Sequence, residues 1–417
     1  MTLRDRALAL HAENCGKIEV CSKVSLANRE TLALAYTPGV AEACREIAND
    51  PGQVFTYTAR GNLVAVISDG SAVLGLGNIG PKAALPVMEG KAILFKSFAG
   101  VDAFPVCVAT QSTEEIVRLV RQLEPTFGGI NLEDISAPRC FEIEEQLRKI
   151  LEIPVFHDDQ HGTAVVTAAA VINALKVVNK RLDDTTAVIN GAGAAGIATA
   201  ELLLSMGIGD IILCDSRGAI FRGRTTGMNR YKEEIAVRTN MRQVSGSLAD
   251  ALEGADLFIG VSVARAITPE MVQRMNRRPV ILAMANPVPE IMPDQAAAAG
   301  AAVIGTGRSD FPNQVNNVLA FPGILRGALD TRAREINEEM KLAAAWAIAG
   351  LINAEELGPD YIIPDAYDRR VAPAVAAAVA EAAVRTGVAR VAMSGEEVAR
   401  RTRQLVERAN SGSSGRI

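Results

Sequence analysis

The sequence predicts an α/β protein with two domains, one of which contains a doubly wound parallel sheet. Three observations support this prediction. The 417 residues exceed the usual size of a single domain. Hydrophobic residues make up 49% of the chain and aromatic residues only 4%, which is typical of α/β enzymes with short buried strands. Between residues 162 and 318, short apolar runs alternate with helical patterns, as they do in parallel sheets.

The composition also excludes several classes of protein. Charged residues make up 22% and the formal net charge is −5, so we expect an ordered chain that does not bind nucleic acid. The six cysteines show no CxxC pair, which favours reduced thiols over a disulfide framework. No apolar run reaches the roughly 20 residues of a membrane span, and the N-terminus lacks the apolar stretch of a signal peptide. We therefore expect a cytoplasmic protein that does not bind membranes.

Residues 1–160 mix helical and strand patterns, and we assign them to an N-terminal α/β domain. Helical periodicity predicts helices over Arg4–His11, Ala83–Glu89 and Thr113–Leu123. Apolar runs predict strands over Leu63–Ser68, Ala92–Phe95 and Pro105–Ala109.

Residues 161–318 form the second predicted domain, which contains the doubly wound sheet. Its predicted strands are Thr185–Asn190, Asp210–Asp215, Asp256–Gly260, Val280–Met284 and Ala302–Gly305. Residues 319–417 read as helices, which we expect to pack on the N-terminal domain. A flexible tail is expected from about residue 410, where Ser and Gly accumulate.

Two segments match the pattern G-x-G-x-x-G, namely Gly75–Gly80 and Gly191–Gly196. Only the second has the context of a Rossmann-type site, with a strand before it, a helix after it and a second strand that ends in an acid. The first is followed by Pro81 and then by a strand predicted to begin at Ala92, which leaves little room for a helix. We therefore interpret it as a tight turn in a substrate loop.

The second motif predicts a nicotinamide dinucleotide site. Its glycines allow the backbone to approach the pyrophosphate at a helix N-terminus, and Asp215 can bind the adenosine ribose hydroxyls. Asp215 favours NAD over NADP, although Arg217, Arg222 and Arg224 lie just beyond it and could bind a 2′-phosphate. The predicted cofactor-binding residues here are Gly191, Gly193, Ala194, Ala195, Gly196 and Asp215.

Two acidic pairs, Glu133-Asp134 and Asp158-Asp159, each follow a strand-like run. Sites in open α/β sheets collect at such strand ends, and three carboxylates with water form an oxygen set suited to Mg²⁺ or Mn²⁺. The alternative is structural. One of the aspartates would cap the helix that follows, and the Glu-Asp pair would be a solvated turn.

A lysine and a tyrosine complete the candidate residues. Lys91 immediately precedes the apolar run predicted as a strand, and a partly buried lysine can act as a base. Tyr36 lies in the turn-like segment Tyr36–Gly39, and a tyrosine can donate a proton. Taken alone, such a tyrosine is more often a packing residue in a turn, and such a lysine is more often a surface charge at the end of a strand.

Seven segments, taken together and in order, resemble the signature segments of malic enzymes. These are Tyr36–Val40, Gly75–Gly80, Glu89–Lys91, Asn131–Asp134, Phe156–Thr163, Ala285–Pro287 and Asn316–Gly323. The resemblance extends from about Gly16 to Ala382 and is closest to compact bacterial members without the acyltransferase-like extension of larger forms. It implies a homodimer that oxidises and decarboxylates malate to pyruvate and CO₂, with NAD(P) and a divalent metal ion.

The resemblance also implies a role for each candidate residue. Lys91 would take the proton of the malate hydroxyl, and Tyr36 would protonate the enolate; our own further hypothesis is that Tyr36 is supplied across the subunit interface. Asp158 would lie beside Lys91 and tune it. The implied metal ligands are Glu133, Asp134 and Asp159, and the implied substrate amides are Asn286 and Asn317, with Asn286 also near the cofactor.

One departure from the family concerns the second substrate carboxylate. Animal malic enzymes have an arginine shortly before the Gly-Leu-Gly segment, where this chain has Ser71-Ala72-Val73. The cation for that carboxylate is therefore unassigned, and Arg29, Lys82 and Lys96 are the candidates.

Two other functions fit parts of the sequence. One is a metal-independent two-domain dehydrogenase, acting for example on amino acids or shikimate, whose activity would survive EDTA. The other is a nucleotide-binding sensor without turnover, which would bind nucleotide but would not reduce it in the presence of malate and Mn²⁺.

Overall fold

The structure is a computed structural model that describes residues 2–73 and 75–411 and contains two β-sheets. The first sheet consists of β1 (Leu63–Ser68), β2 (Asp102–Cys107), β3 (Gly129–Leu132) and β4 (Val155–His157). Its spatial order is β2-β1-β3-β4, and all of its pairings are parallel.

The second sheet has six strands, and its central strand precedes the Gly191–Gly196 motif. The strands are β5 (Thr186–Asn190), β6 (Asp210–Asp215), β7 (Gly218–Ala219), β8 (Leu257–Gly260), β9 (Val280–Ala283) and β10 (Val303–Thr306). The spatial order is β10-β9-β8-β5-β6-β7, with only β7 antiparallel to its neighbour. The chain winds outward from β5 in both directions, which confirms the predicted doubly wound α/β class.

Helices account for most of the remaining described residues. They are α1 (Leu3–Glu13), α2 (Arg29–Ala35), α3 (Val40–Asn49), α4 (Val54–Tyr57), α5 (Pro81–Ala99), α6 (Thr113–Leu123), α7 (Arg139–Ile150), α8 (Thr163–Val178), α9 (Ala194–Ser205), α10 (Arg230–Ala236), α11 (Leu248–Leu252), α12 (Pro269–Gln273), α13 (Pro293–Ala298), α14 (Phe321–Asp330), α15 (Glu338–Ala349), α16 (Val371–Arg385) and α17 (Gly395–Ser411). Short 3₁₀ turns cover Pro51–Gln53, Ala59–Asn62, Glu124–Thr126, Leu182–Asp184 and Asn317–Leu319, and a π-helical turn covers Asp158–Gly162.

The predicted strand over Ala92–Phe95 is wrong, because these residues lie inside α5. The apolar run belongs to a helical stripe in which Ala84, Met88, Ala92, Phe95 and Ala99 are buried at spacings of three or four residues. A four-residue window cannot distinguish that stripe from a buried strand. Lys91 therefore lies in the middle of a helix.

Helix α5 also contradicts the expectation that little room for a helix follows the Gly75–Gly80 motif. The Gly75–Gly80 loop is followed directly by the 19 residues of α5, so the space for a helix is not missing. The loop nevertheless follows β1 of the first sheet, and it approaches the second half of the chain. A Cβ atom on Gly75 would lie 3.6 Å from the carbonyl oxygen of Asn286.

Helix α8 lies at the centre of the molecule. It packs against α9, α15, β9 and β10, and nearly all of its side chains are buried. The segment Asp158–Val178 is long and apolar enough to cross a membrane, yet 78% of that apolar window is buried inside the protein. We therefore assign it to the core.

The C-terminal helices return to the first half of the chain. Helices α14, α16 and α17 all pack against α5, which brings the segment before α14 beside Lys91. Helix α17 continues to Ser411, so the tail expected from about residue 410 falls on residues 412–417, outside the described part of the chain.

Candidate active site

Both acidic pairs emerge from the same edge of the first sheet. Glu133 and Asp134 follow β3 directly, and Asp158 and Asp159 follow β4 in the π-helical turn. Strands β3 and β4 are parallel neighbours, so their carboxyl ends lie side by side. The fold thus places four carboxylates next to each other.

Three of these carboxylates converge on one point. Glu133, Asp134 and Asp159 each offer an oxygen, and the three oxygens lie within 4.8 Å of one another. The backbone N–H of Asp134 donates to Asp159 Oδ2 at 2.8 Å, which ties the two loops together. Asp134 has a φ of 54°, a left-handed conformation that is uncommon for a residue with a side chain.

The electrostatics of this cluster fit a divalent cation. Burial, and then the charges of Asp159 and Glu133, raise the pKa of Asp134 to about 8. Asp134 Oδ2 is buried and has no hydrogen-bond partner among the described residues. Three carboxylates that repel one another, one with an unpaired oxygen, form a hard oxygen donor set such as Mg²⁺ or Mn²⁺ prefers.

Lys91 reaches this cluster from α5. Its Nζ lies 2.5 Å from Asp158 Oδ2 and 2.9 Å from Glu133 Oε1, and only 7% of the residue is exposed. The ammonium group also lies 4.3 Å above the centre of the Phe321 ring. Burial lowers the pKa of Lys91, but Asp158 and Glu133 outweigh this effect and raise it overall.

Asp158 links Lys91 to the amide of Asn317. Asn317 Nδ2 donates to Asp158 Oδ2 at 2.5 Å, from the 3₁₀ turn before α14. The alternative in which Asp158 or Asp159 caps the following helix is wrong, because α8 begins at Thr163 and no side chain caps its N-terminus. The structure therefore brings Lys91, Asp158 and Asn317 together.

The second glycine motif borders a cavity of about 860 Å³ at the carboxyl end of β5. A Cβ atom on Gly191 would lie 2.5 Å from the Val261 carbonyl oxygen, and one on Gly196 would lie 1.7 Å from the Gly191 oxygen. Both positions therefore require glycine. Helix α9 starts at Ala194 without a side-chain cap, so its N-terminal N–H groups remain free to bind an anion.

Asp215 lines the same cavity but is already paired with two cations. Its carboxylate accepts from Arg224 Nη2 and from Lys232 Nζ, each at 2.7 Å. Burial raises the pKa of Asp215, but the hydrogen bonds from Lys232 and Arg224 lower it overall. Arg222, by contrast, donates to the carbonyl of Val237.

Comparison with known proteins supplies the family. Residues 15–148 match "Malic enzyme, N-terminal domain", and residues 160–384 match "Malic enzyme, NAD binding domain". The chain belongs to the malic enzyme family. It is 62% identical to the "Bifunctional malic/malolactic enzyme" of Bacillus subtilis, over 97% of this chain and 99% of the relative.

Two further relatives agree with this assignment. The "NAD-dependent malic enzyme" of Geobacillus stearothermophilus is 56% identical over 94% of this chain and 81% of its own length. The crystal structure of malic enzyme from Pyrococcus horikoshii has a TM-score of 0.94 and 47% identity, covering 99% of this chain and 98% of that one. The predicted family and fold are thus confirmed.

Asn286 lies where a loop of the second sheet approaches the first half of the chain. It follows β9, and its backbone approaches the Gly75 turn described above. Its amide Nδ2 donates to the carbonyl of Met284 at 3.4 Å. The loop after β9 and the loop before α5 thus approach each other, and we call the space that they border the cleft.

Tyr36 is the one predicted catalytic residue that this single chain does not bring to the cluster. Its side chain is 67% exposed, and α2, which ends beside it, packs on α3. Among the described residues, no hydrogen bond or ion pair joins Tyr36 to Lys91 or Asp158.

The structure adds neighbours that sequence reasoning missed. Asn131 Nδ2 donates to Glu133 Oε2 at 2.8 Å, and Glu144 accepts from His161 Nε2 at 2.8 Å beside the acidic turn. Lys232 pairs with Asp215 from α10. Asn131 and Glu133 are two residues apart, so strand periodicity predicts that they lie on the same face, but no sequence signal connects the other two residues to their partners.

The three candidate cations for the second substrate carboxylate lie in different surroundings. Lys96 is engaged with Asp102 at 2.6 Å, and Arg29 begins the exposed helix α2. Lys82 lies in the first turn of α5, immediately after the Gly75–Gly80 loop. Lys82 therefore lies next to the loop that approaches Asn286.

Proposed function

We propose that this chain catalyses the oxidative decarboxylation of (S)-malate to pyruvate and CO₂ with reduction of NAD⁺ or NADP⁺, in the presence of Mg²⁺ or Mn²⁺. One observation carries the proposal. A buried lysine contacts a cluster of carboxylates that fits a divalent cation. Family membership and the names of the relatives support the same reaction.

In this proposal Glu133, Asp134 and Asp159 hold the metal ion. When bound, the ion supplies positive charge that stabilises first the alkoxide and then the enolate that forms as CO₂ leaves. Asn131 keeps Glu133 in place through its hydrogen bond.

The other residues bind the substrate and move protons. The Lys91 amine takes the hydroxyl proton of malate while the hydrogen on C2 leaves as hydride to the nicotinamide. Asp158 holds Lys91 in position, and the amides of Asn317 and Asn286 bind substrate carboxylate. Loss of CO₂ then leaves the enolate of pyruvate, whose carbon receives a proton from the Tyr36 hydroxyl.

This role for Tyr36 requires a second subunit. In the described part of the chain, α1–α4 contribute no buried residue, and their surface exposes apolar side chains. These exposed residues include Leu3, Leu8, Leu10, Leu32, Leu34 and Val40. We propose that this arm packs on the partner in a homodimer and brings Tyr36 to the partner's cluster.

Mixed dimers test the arrangement. We expect Tyr36→Phe and Lys91→Ala subunits to be poorly active alone. A dimer with one subunit of each kind has one intact site if Tyr36 acts across the interface, so mixing should restore up to about a quarter of wild-type activity at random association. Absence of any restored activity would show that Tyr36 acts within its own chain.

NAD⁺ is the proposed dinucleotide, with Asp215 accepting a hydrogen bond from the adenosine ribose. The 2′-phosphate of NADP⁺ would approach the same carboxylate and be repelled by it. Arg224 and Lys232 reduce that repulsion, because they already neutralise Asp215. We therefore expect a preference for NAD⁺ rather than exclusion of NADP⁺.

Initial rates test the reaction directly. The wild-type protein is assayed with malate, Mn²⁺ and either NAD⁺ or NADP⁺, with an EDTA control, while pyruvate is quantified. We expect one pyruvate per reduced nucleotide and loss of the rate in EDTA. A rate that survives EDTA indicates a metal-independent dehydrogenase, and nucleotide binding without reduction indicates a sensor.

A further inference from the structure

A buried carboxylate joins the two loops that follow β8 and β9. Glu290 is fully buried. One of its oxygens accepts from the backbone N–H of Ser262, the other from that of Ala285, both at 3.0 Å. Both hydrogen bonds go to backbone groups, and no ion pair in the described part of the chain involves this carboxylate.

The position of these bonds in the sheet explains their effect. The parallel pairing of β8 and β9 ends at Gly260 and Ala283, followed by one last bond from Met284 N to the Gly260 oxygen. Beyond that point no further bond of the sheet joins the two segments in the described residues. Glu290 bridges them, with one oxygen bound to the loop after β8 and the other to the loop after β9, and so limits how far the two loops can move apart.

Both loops lead directly into the cleft. Ser262 lines the dinucleotide cavity, and its hydroxyl accepts from Asn190 Nδ2 at 2.6 Å. On the other side, Ala285 immediately precedes Asn286, the amide assigned to the substrate. Glu290 therefore connects the wall of the nucleotide pocket with the proposed substrate-binding amide.

Gly260, which has no side chain, leaves the space that this carboxylate occupies. A Cβ atom on Gly260 would lie 2.3 Å from Glu290 Cδ, so only glycine permits the observed position. Burial raises the pKa of Glu290, while the N–H groups of Ser262 and Ala285 oppose that shift. A carboxyl group that accepts from two N–H groups with its two oxygens is suited to the ionised form.

We propose that Glu290 is a positioning residue that sets the distance between the dinucleotide pocket and Asn286, and so aligns malate with the nicotinamide. The proposal rests on the proposed function, since it assumes that Asn286 binds malate. A purely structural role would stabilise the fold without a specific effect on malate turnover.

Asp256 provides a matched control at the opposite edge of the same sheet. It is also a buried carboxylate, and it accepts from the backbone N–H of Thr186 at 3.0 Å and from Lys180 Nζ at 2.7 Å. It lies at the amino ends of β5 and β8, away from the cleft. Asp256→Asn therefore removes a comparable strand clamp that has no access to substrate.

The experiment compares Glu290→Gln, Gly260→Ala and Asp256→Asn in the intact protein. Glu290→Gln leaves one oxygen and places an NH₂ group against an N–H donor, and Gly260→Ala displaces the carboxylate without removing it. We expect each to lower kcat/KM for malate about tenfold or more, which corresponds to roughly 1.4 kcal/mol. Asp256→Asn should lower the melting temperature but keep kcat/KM within about twofold, and the Kd for Mn²⁺ should stay unchanged in all three.

Two results would overturn the proposal. One is an unchanged kcat/KM in Glu290→Gln and Gly260→Ala. The other is an equal loss in Asp256→Asn at a temperature where all variants are folded. If Glu290→Gln fails to fold, Gly260→Ala decides alone. Failure of the proposed function is recognised separately, because the wild-type protein would then not oxidise malate.

Discussion

The affinity for Mn²⁺ should fall steeply as the pH is lowered from 8 to 6. Binding requires ionised carboxylates, and in the free protein burial and the neighbouring charges of Asp159 and Glu133 raise the pKa of Asp134 to about 8. Below pH 8 the metal ion must therefore displace a proton from Asp134. A carboxyl group with a raised pKa holds a proton in this pH range, and that proton competes with the cation. The affinity for Mn²⁺ therefore falls as the pH is lowered.

The size of the effect follows from the titration of one group. With a pKa of about 8, the ionised fraction of Asp134 falls from about one half at pH 8 to about one hundredth at pH 6. The Kd for Mn²⁺ should thus rise about 50-fold between pH 8 and pH 6, equivalent to roughly 2.3 kcal/mol of binding free energy. About one proton should be released for each Mn²⁺ bound near pH 6.5.

Isothermal titration calorimetry in two buffers of different ionisation enthalpy measures both the Kd and the proton release. Asp134→Asn is the control, because its amide does not titrate, so its weaker binding should depend much less on pH. Kd values that agree within about threefold at pH 6 and pH 8, or binding without proton release, would refute this account of the cluster.

The remaining predictions concern individual steps of the reaction. Lys91→Ala should lower the rate of malate oxidation by about 10²-fold or more in stopped-flow measurements, the scale of a lost general base. Tyr36→Phe should slow protonation of the enolate more than hydride transfer. The formation of pyruvate should then lag behind the reduction of the nucleotide. Asp215→Asn should reduce the ratio of kcat/KM for NAD⁺ over NADP⁺, because it removes the charge that repels the 2′-phosphate. Malate should show no calorimetric binding to the metal-free protein and clear binding once Mn²⁺ is present.

The two sheets follow from the sequence because their strands are short, apolar and bounded by turn residues. Leu63–Ser68 and Asp210–Asp215 have the same limits in the structure as in the prediction. The acidic pairs could also be placed, because each directly follows such a strand and parallel strands end at a common edge.

The environment of Lys91 could not be predicted in the same way. The apolar run after Lys91 predicts a strand when it is considered locally. These residues lie in α5, and the burial of α5 depends on contacts with α14, α16 and α17 far along the chain. Lys232 and Glu290 illustrate the same limit. Each acts through a partner brought close by the fold, and neither lies in a pattern that local sequence reasoning recognises.

The charge of the acidic cluster explains why binding of the metal ion, binding of malate and the protonation of Lys91 depend on one another. The four acids of the cluster and the ammonium group of Lys91 give a formal charge of −3 when all are ionised. Malate carries two further negative charges, so the empty cluster would repel it. A divalent cation reduces the charge to −1, and it weakens the hold of Glu133 on Lys91, which must lose its proton to act as a base. Metal ion, substrate and base are therefore coupled by electrostatics, and a change in any one carboxylate should affect all three.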